Sequence, residues 1–109
     1  LKIKRHSKSD LKRYLEKKGF QVLSALTIED GETLFEQNKD VALIIMDACV
    51  PGNIPNTMAL TQQIKQGFNG PMLATSSEAP FRKLLIKAGC THECEKHKII
   101  DSVLEILKP

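Results

Sequence analysis

The sequence predicts an α/β fold: five short strands in a doubly wound parallel sheet, with helices on both faces. Two observations predict it. Short apolar runs alternate along the chain with stretches whose apolar residues recur at helical spacing. One run, Val41-Ala42-Leu43-Ile44-Ile45-Met46, is apolar without alternation and stops abruptly at Asp47. Alternation would mark a strand with one wet face; a continuous run marks a strand covered on both, as in the middle of a parallel sheet.

The elements follow in order. Leu1 to Lys4 begins a first strand. Ser7 to Asp10 starts a helix, since a serine hydroxyl accepts from the first unpaired amides. Leu11, Tyr14 and Leu15 give that helix an apolar stripe, and Gly19 ends it. Phe20 to Ala25 is a second strand. Thr27-Ile28-Glu29-Asp30 has the form of a capping box and opens a helix that turns Leu34 and Phe35 inward. The strand Val41 to Met46 comes next, then a loop with Pro51, Gly52, Asn53 and Pro55. A third helix turns Met58, Leu60 and Ile64 inward and breaks at Asn69-Gly70. Pro71 to Thr75 is the fourth strand. Pro80 suits the first turn of a fourth helix, where its missing amide costs nothing. That helix carries Phe81, Leu84, Leu85 and Ala88 and stops at Gly89. His92 to Glu95 is a last short strand. Ile99, Ile100, Val103, Leu104 and Leu107 make a final amphipathic helix.

The chain has 109 residues, 41% of them hydrophobic, which suits one packed domain over 1–109 and lies outside disordered composition. Its net charge is +3. Basic residues crowd the start, from Lys2, Lys4 and Arg5 to Lys17 and Lys18. They read as a solvated helix face, because no aromatic or glycine pattern of a nucleic-acid surface accompanies them. No segment has the apolar length of a membrane span. Three cysteines, an odd number, argue against a disulfide framework and fit a reducing cytoplasm.

Right-handed crossovers place every strand's C-terminal end on one edge of such a sheet, where ligands bind. Three strand ends carry reactive side chains: Asp47, Ser76 and Lys96. Their surroundings resemble the receiver domains of two-component response regulators, the CheY-like family, from Leu11 onward. Leu43-Ile44-Ile45-Met46-Asp47-Ala48-Cys49-Val50-Pro51-Gly52 is similar to the family's apolar strand, phosphoacceptor aspartate and following turn, with Val50 in place of a methionine. Pro71-Met72-Leu73-Ala74-Thr75-Ser76 resembles the strand that ends in a small hydroxyl residue. Ala88-Gly89-Cys90 with Lys96 resembles the turn and lysine that follow.

The resemblance implies a flavodoxin-like fold and a switch rather than a turnover enzyme. Asp47, exposed at its strand end, would be the nucleophile that takes a phosphoryl group from a histidine kinase or phosphotransfer protein. Lys96 would neutralise the phosphoryl charge, and Ser76 would donate to one of its oxygens and shift the face formed by the fourth helix and last strand. Thr75 takes the hydroxyl role if the alignment slips by one, and Ser76 then only caps the fourth helix. The same resemblance implies Mg²⁺ bound by Asp47 and the backbone carbonyl of Cys49. It also implies an output domain, or a homodimer through the fourth helix and fifth strand. Any nucleic-acid contact would come through another domain.

The pattern departs at the first strand. The family's acidic pair is not found: no acid lies between Leu1 and Ser9, and Lys4 and Arg5 stand in its place. Asp10, inside the helix start, is a poor substitute. A Lys4 or Arg5 side chain pairing with Asp47 would freeze the switch. Glu93 stands where the family has an aromatic residue, and His97 where it has a proline. The alternative is a pseudo-receiver, an interaction module of the same fold without phosphorylation. A separate cluster, Cys90, His92, Cys94 and His97, offers zinc-type side chains, but not at a usual zinc spacing.

Overall fold

A computed structural model describes residues 2–3, 9–49 and 54–108, with side chains from Leu11 onward in those ranges. In chain order the elements are β1 (Lys2–Ile3), α1 (Ser9–Lys17), β2 (Ser24–Ala25), α2 (Ile28–Gln37), β3 (Ile44–Asp47), α3 (Met58–Lys65), β4 (Met72–Thr75), α4 (Ala79–Ala88), β5 (His92–Cys94) and α5 (Ile99–Ile106). A single 3₁₀ turn, Lys96–Lys98, precedes α5. The strands pair in the order β2-β1-β3-β4-β5, and every pairing is parallel. This is the flavodoxin-like α/β fold.

The sheet divides two cores. On one side β3 and β4 send Ile44, Met46, Met72 and Ala74 against Phe35 of α2, Leu60 and Ile64 of α3, and Leu85 of α4. On the other, Ile45 and Leu73 meet Leu11 and Leu15 of α1 and Ile99 and Val103 of α5. Strand alternation sends successive residues to opposite faces, so a strand with two apolar faces must be apolar throughout. That is why the run ending at Asp47 has no polar interruption.

Local signals set the helix ends. The Thr27 hydroxyl accepts the Asp30 amide at 3.1 Å and caps α2. Gly89 closes α4 with φ +135°, a conformation that L side chains rarely adopt. Gly70 allows a close approach: a Cβ there would lie 2.6 Å from the Phe68 ring.

Some elements differ from the sequence expectation. Among the described residues, pairing in β2 covers Ser24 and Ala25, in register with Lys2 and Ile3 of β1. Phe20 and Val22 pack into the α1/α5 core without pairing. Tyr14 is exposed, its ring beneath the Lys18 ammonium at 5.5 Å. Leu84 is also exposed, since Leu85 takes the buried position on α4. The calls on Leu1, Lys4 and Arg5, and on the turn residues Val50, Pro51, Gly52 and Asn53, lie outside the described residues.

Candidate functional site

The end of β3 places Asp47 in the middle of the sheet's C-terminal edge, in register with Thr75 of β4. Asp47 is only 4% exposed, not the open side chain expected from its position at a strand end. The carboxylate turns back on its own chain: Oδ1 accepts the Cys49 amide at 3.1 Å. Oδ2 lies 3.6 Å from Nζ of Lys96. The two residues are 49 positions apart, brought together by the β3-β4-β5 order. Lys96 itself starts the 3₁₀ turn just past β5 rather than ending the strand.

Ser76 is the first residue beyond β4 and is buried. Its hydroxyl accepts the Glu78 amide at 3.1 Å, at the N-terminus of α4. The capping alternative is thus met in part: Ser76 serves the entry to the helix, although Glu78 occupies the cap position. An oxygen that accepts there still carries a proton it can donate elsewhere. The Thr75 hydroxyl is buried, and Thr75 lies in register with Cys94 of β5, whose thiol it faces.

Two supporting residues were not found from sequence. Thr57 is fully buried, and its hydroxyl donates to the Asp47 carbonyl at 2.8 Å, with the Ala48 carbonyl at 3.2 Å. The Asn56 amide also donates to Ala48, at 2.9 Å. The backbone that delivers Asp47 is therefore anchored from the start of α3. Arg82 of α4 is the second. It donates through one guanidinium nitrogen to the Ser76 carbonyl at 2.7 Å and through Nε to Glu93 at 3.1 Å. In sequence, Thr57 reads only as a residue before a helix and Arg82 only as a helix-face charge.

The resemblance implies Mg²⁺ held by the Asp47 carboxylate and the Cys49 carbonyl. Such an ion takes near-octahedral oxygen ligands. Among the described residues, no group of three or more His, Cys, Asp or Glu side chains comes together to hold a metal ion. The Cys90-His92-Cys94-His97 cluster is not gathered either. Cys90 is buried before β5 begins while His92 is exposed. Burial pushes the Cys90 thiol up to about 12 and also raises that of Cys94. A cavity of about 310 Å³ opens at the opposite, N-terminal edge of the strands, between Phe20, Val22, Val41 and Leu107, away from these residues. Among the described residues, no helix is long and apolar enough to cross a membrane.

No family model matches the chain, and no curated protein does. Solved structures do. A LuxR-family two-component response regulator from Aurantimonas is 19% identical, with TM-score 0.78, over 97% of this chain and 81% of that one. A response regulator from Burkholderia pseudomallei, solved with a phosphorylated aspartic acid, a calcium ion and citrate, is 17% identical with TM-score 0.81. That match covers 98% of this chain and 64% of the other, so this chain spans just under two thirds of that protein. The BeF₃-activated receiver domain of Klebsiella pneumoniae RstA is 17% identical with TM-score 0.77, over the full length of both chains.

The fold is that of a receiver domain. Asp47 ends the third strand, Ser76 follows the fourth, and Lys96 lies two residues past the fifth. The structure brings Asp47 and Lys96 into contact and sets Ser76 one residue past the register partner of Asp47.

Proposed function

We propose that the chain is a receiver of two-component signal transduction, in which Asp47 accepts a phosphoryl group from a phosphohistidine on a partner protein. The observation that carries this is the Lys96 ammonium 3.6 Å from a carboxylate oxygen of Asp47 on the ligand-binding edge of the sheet. In the transfer, an Asp47 oxygen attacks phosphorus, a P–O bond forms, and the P–N bond to the imidazole breaks. The imidazole nitrogen keeps the bonding electron pair and takes up a proton. Lys96 offsets charge on the phosphoryl oxygens, and Ser76 donates its hydroxyl proton to one of them. The protein is the acceptor in this reaction and not a turnover enzyme. The proposed setting is the cytoplasm, where thiols stay reduced.

The pseudo-receiver reading has one observation in its favour: no acid lies between Leu1 and Ser9 in the sequence. Intact mass spectrometry after incubation with acetyl phosphate separates the two. The reading as an acceptor expects one added phosphoryl group in the wild type and none in Asp47→Asn. Arms with and without Mg²⁺ show whether transfer depends on the ion. No addition in any arm would count against Asp47 as an acceptor and for the interaction module.

A further inference from the structure

One guanidinium spans the loop after β4 and the strand β5. Arg82 holds the Ser76 carbonyl at 2.7 Å and the Glu93 carboxylate at 3.1 Å. Ser76 belongs to the loop after β4, and Glu93 lies in β5, in register with Ala74. The second Glu93 oxygen meets Lys83 at 2.6 Å. These charges are unequal in setting. The Arg82 side chain is 13% exposed and that of Glu93 26%, but that of Lys83 is 69% exposed. Both cations hold Glu93, but of the two only the more shielded Arg82 also bonds the Ser76 carbonyl, so the link to the loop runs through Arg82.

We propose that Arg82 and Glu93 form an ionic clasp that sets the resting position of the Ser76 loop and couples it to the outer face of α4 and β5. The Ser76 hydroxyl is held by the Glu78 amide and its carbonyl by Arg82. Any shift of the loop that carries the hydroxyl toward a phosphoryl group on Asp47 carries with it the carbonyl tied to Arg82. The clasp opposes that movement; movement that completes itself pulls Arg82 off Glu93 and changes the charge displayed on the face. Coupling of this kind is reciprocal: opening the clasp from the outside frees the loop by the same free energy. The static clasp stands on geometry alone, and only its role as a switch rests on the reading of Asp47 as phosphoacceptor.

The test has two arms. In the first, without any phosphoryl donor, amide resonances and hydrogen exchange are followed by NMR in wild type, Glu93→Gln, Arg82→Gln, Arg82→Lys and Lys83→Gln. Glu93→Gln should displace the Ser76, Ser77 and Glu78 resonances and speed exchange of the Glu78 amide by about two- to three-fold, the size expected for losing a partly shielded ion pair. Arg82→Gln should do the same, and Lys83→Gln much less. Arg82→Lys keeps the charge and the helix but cannot fork to both partners, so it should resemble Arg82→Gln. Unmoved resonances in Glu93→Gln would overturn the clasp. In the second arm, Arg82→Gln should carry a higher phosphorylated fraction than wild type with acetyl phosphate. Equal fractions would overturn the coupling to the site. If wild type takes up no phosphoryl group, the reading of Asp47 fails and the switch with it, while the first arm still upholds or overturns the clasp.

Discussion

At the pair formed by Asp47 and Lys96, the two side chains are unequally buried, 6% exposed for the aspartate and 24% for the lysine. The lysine brings its charge in from a partly wet position, whereas the carboxylate sits where water scarcely reaches. Removing the lysine charge therefore costs more than a surface pair would. Lys96→Met, which keeps the aliphatic stem, should destabilise the protein by about 1–2 kcal/mol, read from urea unfolding. The same change should lower phosphoryl uptake. Glu93 is held below the usual carboxylate range, chiefly by the Lys83 hydrogen bond and then by Arg82 against the opposing effect of burial. Its contribution to stability is thus present above that range and is lost as pH falls through the folded value. The placing of Asp47, Ser76 and Lys96 along one edge was legible in sequence because each lies at or within two residues of the C-terminal end of a strand. Thr57 and Arg82 were not, because their partners lie across the fold and no local pattern marks them.

At the level of elements, α2 and α4 begin by different means. In α2 the cap residue itself supplies the oxygen, Thr27 to the Asp30 amide. Thr27→Ala should cost about 1 kcal/mol, seen as a lower thermal midpoint with unchanged spectra. In α4 the cap residue Glu78 makes no side-chain cap bond, and Ser76 takes up the Glu78 amide instead. The start of α4 is thereby tied to the site. Helix positions were readable from their apolar spacing and end signals. Strand extents were not: Phe20 to Leu23 has strand-like composition, but pairing requires a partner in register, and among the described residues the β1 pairing falls on Ser24 and Ala25. Tyr14 and Leu84 fall at the margin of their helical stripes, where packing of neighbouring elements rather than spacing decides burial.

For the molecule as a whole, the parallel sheet and the division into two cores follow from a few pattern rules, right-handed crossovers and fully apolar central strands, while the strand order is the one the resemblance implied. The chemistry then gathers at one edge. What the rules do not convey is depth. Asp47 was expected to be open and is buried, its carboxylate turned onto the Cys49 amide and against the turn carrying Lys96. Depth also governs Cys90, which lies in the α2/α3/α4 core with its thiol pushed up to about 12. A thiol so placed is a built-in clock. It is almost wholly protonated at neutral pH and out of reach of reagents, so alkylation by iodoacetamide must wait for that half of the molecule to open. Half-buried Cys94 should label first, and the Cys90 rate should climb with sub-denaturing urea; peptide mass mapping reads both. In alkali the unfolded chain gives up its thiol proton sooner than the folded one, so the interval from the ordinary thiol range up to about 12 should progressively favour opening and run the clock faster.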